Sequence, residues 1–197
     1  GLGDVYKRQV YDPGIFKAVF LMGGPGSGKS TVVDGLSLST LGLKKVNSDK
    51  AFENGLKKAG LSLDLRTTPE TVKEPIRTKA KNLTAKALDG YLAGRLGVIF
   101  DTTSARATKI RNYKKQLDAL GYESKMIFVN TSLEFAQQRN EARPRKLAPD
   151  IVQTEWEKVQ KNMKTMKTLF GKDFMTITND DTLDALEKKT SRLYGKM

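Results

Sequence analysis

An apolar run, Lys17-Ala18-Val19-Phe20-Leu21-Met22, stops at Gly23-Gly24-Pro25-Gly26-Ser27-Gly28-Lys29-Ser30, which matches G-x-x-x-x-G-K-[ST]. The run reads as a buried strand, and a helix should follow from Lys29 to about Ser39. Glycines allow the backbone to aim successive N–H groups inward, and the following helix turns its positive dipole end to the same point. A loop of this kind binds phosphate. Lys29 should reach the β- and γ-phosphate oxygens of ATP, and the Ser30 hydroxyl should ligate Mg2+ with Thr31 beside it. The nucleotide site is therefore read as Gly23, Gly24, Pro25, Gly26, Ser27, Gly28, Lys29, Ser30 and Thr31, with Lys29 also serving catalysis.

The rest of the chain alternates short apolar runs with helical patterns. Lys44-Lys45-Val46-Asn47, Val98-Ile99-Phe100, Lys125 to Val129 and Phe174 to Thr178 complete a predicted set of five strands. Ser48-Asp49 should open a helix that ends near Gly60, and Leu61 to Thr67 should be loop. Thr68-Pro69-Glu70 reads as an N-cap with proline at the first helical position. Ile76, Ala80, Leu83, Ala87 and Tyr91 then share one face of a long helix that Pro75 should kink or divide. Ile110, Tyr113, Leu117 and Leu120 mark another helix, and Leu133 to Asn140 a shorter one. Asp150 and Gln153 make a candidate capping pair for a last helix, whose stripe of Val152, Trp156, Val159, Met163, Met166 and Phe170 reads as core packing. Strands alternating with helices imply an α/β fold, a three-layer, mostly parallel five-stranded sheet with helices on both faces.

At 197 residues the chain fits one domain, able to bury roughly 70% of its unfolded surface. Residues 1–15 are set aside as a tail, because Asp4-Val5-Tyr6-Lys7-Arg8-Gln9 resembles translated sequencing-adapter read-through; the domain is taken as 16–197. No apolar run approaches the roughly 20 residues of a membrane helix, and no signal-peptide pattern is seen, so a cytoplasmic protein is expected. Cysteine and histidine are both absent, which excludes disulfides, thiolate nucleophiles, imidazole bases and the usual zinc sites. Chemistry falls to carboxylates, lysine, arginine, hydroxyls and backbone amides. A net charge of +13 favours anionic partners, although scattered lysines also simply solvate helix surfaces.

In doubly wound sheets functional groups gather beyond the carboxyl ends of strands. Two carboxylates stand there: Asp49 after the second strand, and Asp101, followed by Thr102, after the third. Asp49 could be a simple helix N-cap and Asp101 a turn residue. A basic stretch, Arg139-Asn140-Glu141-Ala142-Arg143-Pro144-Arg145-Lys146, follows the fourth strand and its helix; it reads as a lid at about 139–150, or as a solvated basic loop.

From Phe16 to about Asn179 the sequence resembles the P-loop kinases that include phage-type polynucleotide 5′-hydroxyl kinases and zeta-toxin-like kinases. The resemblance implies that Asp49 is the general base for an acceptor hydroxyl. It also implies that Asp101 and Thr102 look toward acceptor and metal, with a Walker-B-like contact from Asp101 to a magnesium-bound water as the alternative. Arg143, four residues after Arg139 in the Arg-Asn pattern, would contact the donor phosphates, with Arg139 and Arg145 as supporting candidates. One departure bears on the acceptor. The polynucleotide kinases carry an arginine three residues after the base, whereas this chain has Phe52, leaving Lys50 as the nearby cation. The expected activity is transfer of the γ-phosphate of ATP to a hydroxyl, on a nucleic-acid 5′ end or on a nucleotide or nucleotide sugar; any antitoxin partner is left open. An NTP-driven module without a hydroxyl acceptor is the other reading, and it would want a further acid or polar residue beside Asp101, where two threonines stand.

Overall fold

A computed structural model describes residues 14–180. Its five strands are β1 (Lys17–Met22), β2 (Lys44–Val46), β3 (Val98–Asp101), β4 (Glu123–Asn130) and β5 (Phe174–Thr178). All pair in parallel, in the order β2-β3-β1-β4-β5. Six helices connect them: α1 (Lys29–Gly35), α2 (Asp49–Lys58), α3 (Glu70–Ala93), α4 (Ala107–Ala119), α5 (Leu133–Ala142) and α6 (Pro149–Phe170). This is the α/β fold with helices on both faces that the alternation of elements predicts. No helix among the described residues is long and apolar enough to cross a membrane.

Strand period divides the core in two. Ala18, Phe20 and Met22 of β1 point to one face with Phe100, Met126 and Phe128, and are covered by Leu88 and Leu92 of α3, Ile110 and Leu117 of α4, and Val159, Met166 and Phe170 of α6. Val19 and Leu21 point to the other face with Ile99, Ile127, Val129 and Ile177, beneath Val32 and Val33 of α1 and the following Leu36 and Leu38. β1 is thus apolar at every position after Lys17 because both of its faces are covered. Phe20 stacks on Phe100 at 4.6 Å and meets the edge of Phe170 at 5.3 Å, which fixes α6 against the sheet centre.

A third, smaller cluster lies outside the sheet: Phe52 and Leu56 of α2, Ala80 of α3, Leu65 of the loop between them, and Leu147 from the segment before α6. Lys73 is buried in this region, donating to the Leu65 carbonyl at 2.8 Å and pairing with Glu70 at 3.0 Å.

Several boundaries differ from expectation. α1 stops at Gly35, because Leu36 and Leu38 are both buried and a helix cannot turn residues two apart to one face; Ser37 takes φ 50 in the turn that follows. Pro75 leaves α3 undivided. It lies near the exposed start of the helix, where water can serve the carbonyl that loses its partner. Thr68 does not cap α3, which begins at Glu70 with Pro69 as its N-cap. Leu83 is 54% exposed, its place on the buried face taken by Leu88 and Leu92. The Asp150–Gln153 capping pair does not form. Ala148 is the N-cap of α6, Pro149 opens it, and Gln153 donates instead to Glu157. Met163 faces out. The fold also takes in two residues of the presumed tail: Gly97 donates its N–H to the Gly14 carbonyl at 2.6 Å, and Ile15 bridges Leu96. Of that tail, residues 1–13 lie outside the described residues, as does the end of the domain from 181.

Leu56 is fully buried in the small cluster. Leu56→Ala should destabilise the protein by about 2–5 kcal/mol in urea unfolding, through lost transfer energy and the cavity left behind. A loss under about 1 kcal/mol would mean that α2 and α3 are not packed as a core.

Candidate functional site

The loop between β1 and α1 is shaped by its neighbours as well as by its glycines. Gly26 and Gly28 have φ 78 and φ 88, where side chains with a Cβ are strained. A Cβ at Gly26 would run into the Ala136 carbonyl, and one at Gly28 into the Asn179 amide. Asn179, buried just past β5, donates its Nδ2 to the Ser27 carbonyl at 2.7 Å and its N–H to the Asn130 carbonyl at 2.8 Å. On the other side Gly24 lies against Trp156, whose Nε1 donates to the Thr131 carbonyl at 2.8 Å. Pro25 and Ser27 are buried, Ser30 is exposed, and Thr31 is half-buried at the start of α1.

Lys29 folds back over this loop, donating to the carbonyls of Gly23 at 2.7 Å and Gly24 at 2.9 Å and to Ser27 Oγ at 3.4 Å. Burial of the amine lowers its pKa to about 8, against the opposing pull of the Asp101 and Asp49 charges. Arg143 and Arg145 lower it further. The loop lysine thus feels the charges of both carboxylates and of Arg143 and Arg145.

The carboxylates sit at the ends of neighbouring strands. The side chain of Asp101 is 5% exposed; its Oδ2 pairs with Lys45 Nζ at 3.0 Å and accepts from Asn47 Nδ2 at 2.7 Å. Asp49 is the first residue of α2, and Ser48 is its N-cap. Its carboxylate therefore does not cap the helix. Oδ2 accepts from Arg145 Nη2 at 2.7 Å, and Arg145 Nε pairs with Glu53 at 3.1 Å. Burial would raise the Asp49 carboxyl, but the Arg145 hydrogen bond and the charges of Arg145, Lys29 and Arg143 hold it below the usual aspartate value. The Thr102 hydroxyl accepts from the Ser104 N–H at 2.9 Å, in the turn where the Thr103 carbonyl meets the Gly23 N–H at 3.4 Å.

The segment read as a lid comprises the last turn of α5, a hoop over 143–148 and the start of α6. Buried Asn140 closes the hoop: its Nδ2 donates to the Leu147 carbonyl at 2.8 Å, and its Oδ1 accepts from the Leu147 N–H at 3.0 Å and from Arg143 Nη2 at 3.0 Å. The Leu65 N–H donates to the Lys146 carbonyl at 3.1 Å, and Arg66 reaches Glu141 at 3.2 Å, tying the hoop to the loop between α2 and α3. Arg143 Nε is buried without a hydrogen-bond partner. Arg139 is engaged elsewhere, donating to the Asn179 carbonyl at 2.9 Å with its guanidinium 5.5 Å from the Phe135 ring centre. Phe52 is buried, and Arg77 of α3 lies over its ring at 4.6 Å.

The structure thus brings together the loop, Lys29, Asp49, Asp101, Arg143 and Arg145, and sets Arg139 and Thr102 in supporting contacts. Sequence reasoning passed over Lys45, Asn47, Glu53 and Asn179's grip on Ser27, and it read Trp156 as core alone. The rule that singles out Asp49, polar residues at the carboxyl end of a strand, would also have found Asn47. No group of three or more acids, histidines or cysteines that could hold a metal by itself occurs among the described residues. The donor set of Ser30 and Asp101 fits a hard cation that takes only one or two protein oxygens and completes its shell with phosphate and water. The glycine-shaped loop and the unpartnered Arg143 Nε fit a polyanion.

No curated protein matches the chain. Among solved structures, a provisionally assigned kinase from Chloroflexus aurantiacus aligns at TM-score 0.56 with 12% identity, over 91% of this chain and 96% of that one. A chain of the AvrRxo1-ORF1:-ORF2 complex aligns at TM-score 0.64 with 15% identity, over 83% of this chain and 54% of that one, so this chain spans about half of its length. The PezAT chromosomal toxin–antitoxin system of Streptococcus pneumoniae supplies a third, at TM-score 0.62 with 12% identity, over 99% and 92%. Identities this low speak to the fold alone. A family model described as an AAA domain matches residues 19–166, most of the described chain, and the protein belongs to that family of P-loop domains.

Proposed function

We propose that this P-loop protein is a kinase that transfers the γ-phosphate of ATP to a hydroxyl group. The observation that carries the reading is geometric: Lys29 folds over the glycine loop at the end of β1, Asp101 ends neighbouring β3, and Asp49, held by Arg145 at 2.7 Å and tied through Asn47 to Asp101, opens the helix after β2. In this reading Asp49 takes the proton as the acceptor oxygen bonds to the γ-phosphorus and the bond to the β-phosphate oxygen breaks. Lys29 leaves the loop carbonyls for the phosphate oxygens. Arg143 meets the negative charge that spreads over the transferring group. Ser30 and Asp101 would hold magnesium, Asp101 through a bound water, and the ion would neutralise charge on the phosphates. Arg145 now holds Asp49 Oδ2, and in this reading it shifts to the donor phosphates as the acceptor hydroxyl takes its place beside the carboxylate. Arg139, held beside Asn179, is assigned to the nucleotide-base side, and Thr102 to the acceptor wall. The acceptor is taken as a nucleotide, a nucleotide sugar or a nucleic-acid 5′ end. The buried Phe52 offers no phosphate grip, although Arg77 and Lys50 supply cations nearby.

The test is transfer of labelled γ-phosphate to oligonucleotides, nucleosides and uridine-diphosphate sugars. Asp49→Asn should keep ATP affinity while lowering transfer by roughly 10²- to 10⁴-fold. Transfer at the wild-type rate by Asp49→Asn, or ATP turnover that no acceptor accelerates, would overturn the assignment.

Arg143→Ala should reduce the turnover number far more than ATP affinity, because its charge matters most as the phosphoryl group moves. Arg143→Lys should restore turnover only in part, since lysine keeps the charge but loses the planar fork. Equal losses in affinity and turnover, or full rescue by lysine, would remove Arg143 from this role.

The lowered Lys29 pKa gives a sign that can be checked without any acceptor. Phosphate favours the charged amine, so ATP binding should raise a pKa of about 8, and the complex should take up a fraction of a proton at about pH 8.5. Affinity should fall as pH rises above about 8, while near pH 6.5 this group should exchange none. Calorimetry in two buffers of different ionisation heat reads the uptake, which Lys29→Met should abolish. Absence of uptake in the wild type would mean that the amine is already fully charged at pH 8.5.

A further inference from the structure

One uncharged side chain links the Asp101 carboxylate to the backbone of Asp49. Asn47, at the carboxyl end of β2, donates Nδ2 to Asp101 Oδ2 at 2.7 Å, and its Oδ1 accepts from the backbone N–H of Asp49 at 2.6 Å. A carboxamide has one donating and one accepting end, so these partners fix its orientation. Lys45, two residues earlier, holds the same Asp101 oxygen at 3.0 Å. The N-cap residue Ser48 makes no side-chain cap bond, so Asn47 anchors the first turn of α2 from outside the helix.

We propose that Asn47 is a positioning residue: its amide fastens the start of α2, and with it Asp49, to Asp101 at the end of β3, so that base and metal-side carboxylate keep one spacing. The inference rests on the reading of Asp49 as the base. Its physical content is rigidity. β2 has only three residues and lies at the edge of the sheet, so the strand alone holds Asp49 weakly. Misplacing a reacting group by about 1 Å can cost on the order of 10²-fold in rate.

The competing role is a local turn, in which an asparagine or aspartate side-chain oxygen accepts the N–H two residues on. That role uses only Oδ1, and aspartate fills it equally well. Asn47→Asp therefore separates the two: it keeps the acceptor for Asp49 N–H, removes the donor to Asp101 and sets one carboxylate against another. Asn47→Ala removes both contacts.

The experiment measures three quantities for each variant of the full chain. They are binding of a fluorescent ATP analogue with magnesium, ADP formation from magnesium ATP with water as acceptor, and amide hydrogen exchange over residues 47–54. Asn47→Asp should bind the analogue within about threefold of wild type, yet lose on the order of 10²-fold in ADP formation, as Asn47→Ala should. Exchange over residues 47–54 should quicken about tenfold or more in both, a readout that serves even where hydrolysis is too slow to follow. If Asn47→Asp matches wild type in exchange and turnover while Asn47→Ala does not, Asn47 only shapes a turn and the proposal fails. Lys29→Ala and Asp49→Asn in the same assays test the reading beneath it. If Lys29→Ala still binds the analogue normally, or Asp49→Asn still turns over normally, the kinase assignment fails, whatever Asn47 does.

Discussion

The parallel register around β1 decides where every polar group of the site can stand. Leu21 is level with Asp101 on one side, Met22 with Phe128 on the other, and Val46 with Phe100 one strand further out. The strand ends are staggered along one edge line of the sheet, β2 stopping level with Phe20 and β4 running two residues past Met22, and each delivers its next residues there: the glycine loop after β1, Asn47 and Asp49 after β2, Thr102 after β3, Thr131 after β4. Slipping one strand by one residue would turn its apolar set to the wrong face, so the two buried clusters that stabilise the sheet also fix the site. The site is thereby built on the best-buried part of the molecule. Phe20, Leu21, Met22, Ile99 and Ile127 have almost no exposed surface.

Charge at that line is balanced within the protein. Lys45 and Asn47 satisfy Asp101, Arg145 and Glu53 form a partner set with Asp49, and Lys29 rests on loop carbonyls. Lys29 and Arg143 both have lowered pKa values, burial being the largest cause, so their charges are costly where they stand. An incoming polyanion relieves that cost, and this separates a site held ready for phosphate from an ordinary internal ion pair. Arg143 makes the point most directly, because its Nε is enclosed without an acceptor.

Fold and donor site were largely legible in the sequence, since both rest on local patterns. The strand at Lys17–Met22, the glycine loop and the start of α1 occupy adjacent positions, and β5 was read at its observed bounds. Distance along the chain hid the remainder. Asn179 lies 152 residues from Ser27, and Arg145 96 residues from Asp49, so neither contact has a local signature. Trp156 follows the helical stripe and reads as core, yet its Cα, Cβ and ring edge lie against Gly24 of the loop while its indole N–H donates to the Thr131 carbonyl. Leu83 and Met163 match the periodicity and still face solvent, although Ala80 and Leu88 on α3 and Val159 and Met166 on α6, to either side of them, are buried. Capping failed at both Thr68 and Asp150 beside a proline: Pro69 is itself the N-cap of α3, one residue after Thr68, and Pro149 opens α6, which puts the cap at Ala148, two residues before Asp150.

On the proposed reading the hoop at 143–148 links the donor side to the acceptor side by more than its arginines. Leu147 is packed with Phe52, Leu56 and Leu65, the Lys146 carbonyl holds the Leu65 N–H, and Glu141 meets Arg66. Movement of the hoop toward the phosphates would pull on the loop between α2 and α3, and through Leu65 on buried Lys73. On the proposed reading Arg145 leaves Asp49 in the same movement that brings Arg143 to the donor, so exposure of the base and stabilisation of the transferring charge belong to one displacement. A lid hinged independently of α2 and α3 could close on ATP while Arg145 stayed on Asp49. On the same reading the apolar contact at Leu147 would make the two sides respond together and favour phosphate transfer to a seated acceptor over transfer to water.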